Sequence, residues 1–144
     1  MTDPTLPTGP DLEAIISYLT TTYPATDIVT IPAAWFFSLD PEKHWPNYAT
    51  IVTNDEHDQA SDLSRPGVFW LNIGVGKETF RSLFGKADDG GHDFTALDRL
   101  MPHPVYGKMY WVCVLNPGPA TSEAVRGLLA EAYESDRQRR VKQA

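Results

Sequence analysis

The stretch Val68–Gly85, VFWLNIGVGKETFRSLFG, carries both kinds of secondary structure in one short span. Val68–Val75 reads as a strand, rich in aromatic and branched residues that suit a pleated surface. Lys77–Phe84 reads as a short helix that turns Phe80, Leu83 and Phe84 inward and stops at Gly85. The strand has no polar parity, because Phe69, Trp70 and Leu71 are apolar in succession. An antiparallel sheet open to water on one side alternates apolar and polar residues, and this strand does not. Trp35-Phe36-Phe37 and Met109–Leu115 (MYWVCVL) share the property. These strands are expected to be covered on both faces, by the short helices or by a second copy of the chain.

Working outward, Leu12, Ile15, Ile16 and Leu19 fall at helical spacing and predict a helix over residues 11–22, ended by Pro24. Asp27–Ile31 and Ala34–Leu39 read as strands about Pro32, and Tyr48–Asn54 as a third strand. Asp93–Met101 has Phe94, Leu97, Leu100 and Met101 at helical spacing, with Thr95 and Asp98 arranged like a capping box. Asn116-Pro-Gly-Pro119 is a hard break before a closing helix with Thr121 as N-cap and Val125, Leu128, Leu129, Ala132 and Tyr133 inward. Gly127 inside that helix is read as a close approach to the sheet. Helix, strands, short helices, strand and helix make an α+β order rather than βαβ. The expected fold is an antiparallel sheet of about five strands with the N- and C-terminal helices on one face. Residues 1–10 read as a flexible lead-in and residues 11–144 as one domain.

A length of 144 residues fits one domain. Apolar content of 42% excludes a disordered chain, and no apolar run is long enough to span a membrane. The first ten residues have no basic start and no apolar stretch, so no secretory signal is read there and the protein is expected in the cytoplasm. A single cysteine, Cys113, excludes an internal disulfide, and its place among valines makes it a packing residue. Twelve basic against nineteen acidic residues give a net charge of −7, which opposes nucleic-acid binding through phosphate neutralisation. Arg137, Arg139, Arg140 and Lys142 are the exception; they read as cations complementing a helix C-terminus, with Asp136 pairing Arg140.

The chemistry-bearing residues sit in predicted loops. His103-Pro-Val-Tyr106-Gly-Lys108 is stiffened by prolines and sets an imidazole, a phenol and an ammonium before a buried strand. That is the support general acid–base work requires, with His103 and Tyr106 as candidates and Asp98 or Arg99 as helpers. Arg65, Lys77 and Lys108 are candidate anion-binding groups, the first two flanking the 68–75 strand near a helix N-terminus. Trp45 is placed at the surface, bordering a pocket. Asn54–Asp58 (NDEHD) lacks the alternation of a calcium loop and reads as a solvated turn, so no metal and no cofactor is expected.

The segments Arg65–Gly85, His92–Pro117 and Glu123–Tyr133 resemble an uncharacterised bacterial family best represented in actinobacteria and known as a domain of unknown function. More distantly, the order of features is similar to the MmcQ/YjbR-like proteins, with the LNI strand at Leu71–Val75, the Trp111 strand and a last helix bearing Tyr133. That resemblance implies a compact α+β fold of the kind also seen in frataxin-like proteins. It brings a suggestion of DNA binding, from which this chain departs in its acidity, and no catalytic residue. The expected function is a non-enzymatic ligand-binding or protein-interaction module, a homodimer through the aromatic sheet face, with a small molecule as ligand. The alternatives are a small enzyme working through His103 and Tyr106, and nucleic-acid binding by family analogy.

Overall fold

The structure, a computed structural model, describes residues 12–23, 26–32, 34–39, 47–53, 68–84, 96–103 and 109–143, with side chains as far as Gln138. The elements in chain order are α1 (Leu12–Thr22), β1 (Asp27–Ile31), β2 (Ala34–Ser38), β3 (Asn47–Val52), β4 (Trp70–Gly74), α2 (Lys77–Phe84), β5 (Met101–Pro102), β6 (Trp111–Leu115) and α3 (Ser122–Gln143). The strands form one antiparallel sheet in the order β1-β2-β3-β4-β6-β5. The fold is α+β, as the element order requires. The expected lead-in at residues 1–10 lies outside the described residues.

Alternation assigns the two faces of the sheet. Phe37, Ala49, Ile51, Leu71, Ile73, Val112 and Val114 pack with Ile15 and Leu19 of α1, Phe80 of α2 and Val125, Leu128, Leu129 and Ala132 of α3. All three helices therefore cover the same face. The intervening residues form a second cluster, in which Trp70, Met101, Cys113, Leu115 and Val68 are buried with Val52 and Leu97 against them. Trp70 is 3% exposed and Cys113 and Leu115 are fully buried. Both faces of the central strands are thus covered within the chain, and no second copy is needed to shield them.

Beside β2, the pairing skips one residue, so Phe37 faces Ala49 and Ser38 faces Asn47. The extra residue of this bulge is Tyr48, which turns to the helix side. There it meets Tyr133 edge-on at 5.9 Å, while Tyr23 stacks on Tyr133 at 4.8 Å. The Tyr48 hydroxyl shares a 2.8 Å hydrogen bond with Thr26 Oγ1, and burial pushes its pKa up to about 12.

The sheet has one strand more than expected, and it replaces a predicted helix. Within 93–101, residues 96–100 carry no helix, and Met101 and Pro102 pair with Cys113 and Val112. Residues 93–95 lie outside the described residues. Leu97 bridges Leu115 in parallel, and Asp98 takes a φ of 55° that no right-handed helix contains. Its carboxylate accepts N–H bonds from Gly118 (2.7 Å), Ala120 (2.9 Å) and Thr121 (3.0 Å), and the Thr121 hydroxyl donates to it as well. Asp98 is therefore the cap of α3, supplied from outside that helix, and it complements the partial positive charge there. Thr121 holds the N-cap position, as expected, but its hydroxyl serves Asp98 instead of the helix. Pro102, which lacks an N–H, sits on the edge strand, where none is missed.

One further expectation is corrected. A Cβ on Gly127 meets nothing within 4 Å, so this glycine marks no close approach to the sheet. The close approach is at Gly74, whose Cβ would meet the Trp111 indole at 3.0 Å. Asp136 is fully buried, and its expected pairing with Arg140 involves a side chain outside the described residues. Arg137 pairs with Glu134 at 2.7 Å.

Asp98→Asn keeps a residue that tolerates the left-handed region but removes the charge. It is expected to lower stability by about 1–3 kcal/mol at neutral pH in urea unfolding. Burial raises the Asp98 pKa and its hydrogen bonds from Thr121, Ala120 and Gly118 outweigh that, so it lies below its ordinary 3.8. The stabilisation is then complete above that value and is lost as pH falls through the folded pKa, so wild type and variant converge in acid. Gly127→Ala is expected to stabilise by about 0.5–1 kcal/mol, since the added methyl meets open space in a helix interior.

Candidate functional site

The second face of the sheet is where polar chemistry is buried. Its rows follow from register: Val52, Trp70 and Leu115 lie side by side, as do Thr50, Asn72, Cys113 and Met101. Asn72 stands in an otherwise apolar strand and is 3% exposed. Its Nδ2 donates to Thr50 Oγ1 at 3.1 Å, while its Oδ1 has no hydrogen-bond partner. Two residues earlier on the same face, the buried Trp70 Nε1 also has none, and neither has Asn47 Oδ1. A buried donor or acceptor left unpaired costs about 1–3 kcal/mol, so native folds keep few of them.

His103 follows β5 directly. Its backbone N–H donates to the Trp111 carbonyl at 2.9 Å, which carries the ladder one residue past Pro102. The imidazole is 5% exposed and lies flat on the Trp70 indole, with centroids 4.7 Å apart and planes at 23°. The sequence marks His103 as a site candidate but singles out neither Trp70, on which it stacks, nor Asn72 on the same face. Trp70 reads only as core. Asn72, the lone polar side chain in VFWLNIGV, was the available signal.

The other expected site residues separate into three groups. Arg65, Trp45, Tyr106 and Lys108 lie outside the described residues. Lys77 is exposed at the first residue of α2, where an anion was expected. The protein supplies its own carboxylate at that helix start: Glu131 Oε2 accepts Gly76 N–H at 2.9 Å, and Glu131 Oε1 accepts the Thr79 hydroxyl. No sequence signal links Glu131 to a helix start so far away in the chain. Asp98 has its carboxylate committed to α3, and Arg99 is exposed.

Nucleophilic chemistry has no support on this face. Cys113 is fully buried, and its thiol donates toward the Pro102 carbonyl at 3.7 Å. Among the described residues no three His, Cys, Asp or Glu side chains gather in a group able to hold a metal ion. None of the described helices is long and apolar enough to cross a membrane. The face presents an aromatic platform, one unpaired donor (Trp70 Nε1) and two unpaired acceptors (Asn72 Oδ1 and Asn47 Oδ1).

A family model described as a family of unknown function (DUF6194) matches residues 10–144. Among curated proteins, none matches the chain. A crystal structure of a protein from Pseudomonas syringae is similar at 17% identity with a TM-score of 0.59, covering 88% of this chain and 99% of that one. At that identity the likeness is one of fold.

Trp70→Phe tests whether Nε1 is truly unpaired. The phenyl ring keeps an aromatic face toward His103, and loss of an unsatisfied donor offsets about 1–3 kcal/mol of lost packing. The expected net change in urea unfolding is within about 1 kcal/mol, whereas Trp70→Ala costs about 3–5 kcal/mol. A loss above about 3 kcal/mol for the Phe variant would mean that the N–H has a partner.

Proposed function

The chain belongs to DUF6194, a family of unknown function, and from that premise we propose a non-catalytic binding module whose ligand is held on the Trp70–Asn72–His103 face. The observation that carries this reading is the pair of buried, unpartnered polar atoms, Trp70 Nε1 and Asn72 Oδ1, on one face of one strand. A ligand that presents an acceptor to the indole N–H and a donor to the amide oxygen satisfies both. Carboxamides, lactams and small nitrogen heterocycles have that chemistry. His103 acts here as an aromatic wall; Tyr106, Trp45, Arg65 and Lys108, which lie outside the described residues, stay candidate site residues on the sequence alone.

The same reading takes residues 11–144 as a single domain with a distant MmcQ/YjbR likeness. The first helix, the β4 strand running into α2, and Tyr133 on the closing helix support that likeness. Homodimer formation is confined in this reading to β1 and β2, where Trp35 and Phe36 keep partial exposure and Ile31 is 41% exposed.

A thermal-shift screen of small amides and heterocycles tests the module, with the Trp70 indole N–H resonance in NMR as the site-specific readout. At a ligand concentration of about 100 Kd the gain is about 2.7 kcal/mol, roughly 10 °C for a domain of this size. The expected result is a binder that moves that resonance and loses its effect in Trp70→Phe. A binder that stabilises Trp70→Phe equally, or a screen in which no compound moves the indole signal, would sink the reading. Light scattering on the same sample reports the dimer, and a monomer at high micromolar concentration removes it.

A further inference from the structure

A second site lies in the helix layer, on the other side of the sheet from Trp70. Where α1 crosses the first turns of α3, the two helices leave a cavity of about 200 Å³. Its walls are apolar, made by Ile15 of α1 and by Val125 and Leu129 of α3, with Pro117 and Ser122 at one end. Arg126 and Tyr18 supply the charged and polar part of its lining.

Arg126 decides what such a cavity takes. The guanidinium is exposed and makes no ion pair or hydrogen bond with any described residue, not even with Glu123 one turn earlier on its own helix. By contrast, Arg137 on the same helix is held by Glu134. The N–H groups of the turn leading into α3 do not draw an anion, because Asp98 already takes those of Gly118, Ala120 and Thr121 and sets a carboxylate there. An anion arriving here therefore finds one cation, and its body finds aliphatic side chains.

We propose that the α1–α3 cleft binds a small apolar carboxylate, with the hydrocarbon between Ile15, Val125 and Leu129 and the carboxylate on Arg126. The size agrees: an apolar cavity of about 150 Å³ holds a benzene ring, so this one holds a ring or chain of about six to eight carbons. A carboxylate meets the guanidinium as a bidentate, charge-assisted pair. A polyphosphate or a sugar is excluded by the aliphatic walls, which leave its hydroxyls or charges without partners.

The experiment is an NMR titration with hexanoate and, in parallel, phenylacetate, following the methyl groups of Ile15, Val125 and Leu129. Saturable shifts with a Kd of about 1 mM or tighter are expected, which is reasonable affinity for so few atoms. Arg126→Gln should weaken binding about tenfold or more, and hexanol should bind the wild type more weakly by a similar factor. Ala14→Phe, which puts a ring into the cleft from an exposed position on α1, should abolish binding while circular dichroism shows the fold intact. No saturation by about 10 mM, equal binding by Arg126→Gln, or equal binding of hexanol overturns the proposal. Shifts confined to the Trp70 indole also overturn it, and because the two sites report on different resonances, either proposal can fail without the other.

Discussion

The carboxylate of Asp98 at the start of α3 is the contact on which the remaining architecture hangs. A helix presents unpaired N–H groups in its first turn, and here three N–H donors in that region converge on one side chain. To reach them, Asp98 adopts a left-handed backbone, an unfavourable conformation that Asp tolerates better than most residues. The geometry fixes two things together. It sets the direction in which α3 leaves the Asn116–Pro119 break, and it holds the 96–102 segment beside β6 so that Met101 and Pro102 can pair there. α3 then repeats the device, with Glu131 gripping Gly76 and Thr79 at the start of α2. One carboxylate orients the long helix, and the long helix orients the short one.

That arrangement explains why a sheet with no polar face is stable in a single chain. The helices held by these carboxylates close one side, and the 96–103 segment held by Asp98 helps close the other, placing Leu97, Met101 and His103 over Trp70 and Cys113. The second face is less completely resolved in its polar groups than the first. On the helix side, the buried Tyr48 hydroxyl has Thr26. On the far side, Trp70 Nε1, Asn72 Oδ1 and Asn47 Oδ1 have nothing. Stability alone would favour apolar residues at those positions, and this asymmetry is the ground on which the proposed binding role of that face rests.

Periodicity made most of the sheet legible. β1 matches its expected span, and β2, β3, β4 and β6 lie within or beside theirs, because each is a run of branched and aromatic residues between strong breakers. The absence of a polar parity in VFWLNIGV and MYWVCVL also conveyed correctly that both faces are covered. What failed was long-range polar geometry. Thr95 and Asp98 have capping-box spacing, yet Asp98 caps a helix twenty residues onward, at Gly118. Leu97, Leu100 and Met101 fit a helical stripe, yet three or four apolar residues fit an extended segment equally well, and spacing alone does not arbitrate. The Tyr48 bulge and the Glu131 grip depend on which strand or helix lies opposite, and local sequence carries no record of that. His103 stood out as a candidate because an imidazole among prolines is conspicuous; Asn72 was equally conspicuous within its strand, as its one polar side chain.

The distribution of charge bears on both proposed sites. A net charge of −7 implies an exterior that repels anions. Yet Asp98 and Glu131 are turned inward onto helix N-termini, and Asp136 is fully buried. Each of these carboxylates is compensated by donors or enclosed by protein, so its field at the surface is weaker than a formal count implies. Arg126 lies on the same helix as Glu131 and Asp136 but is not neutralised by either. An acidic protein can therefore keep one cation free at the mouth of an apolar cleft. It does so by assigning acids elsewhere on that helix to structural work, which leaves the local chemistry of the cleft opposite in sign to that of the whole molecule.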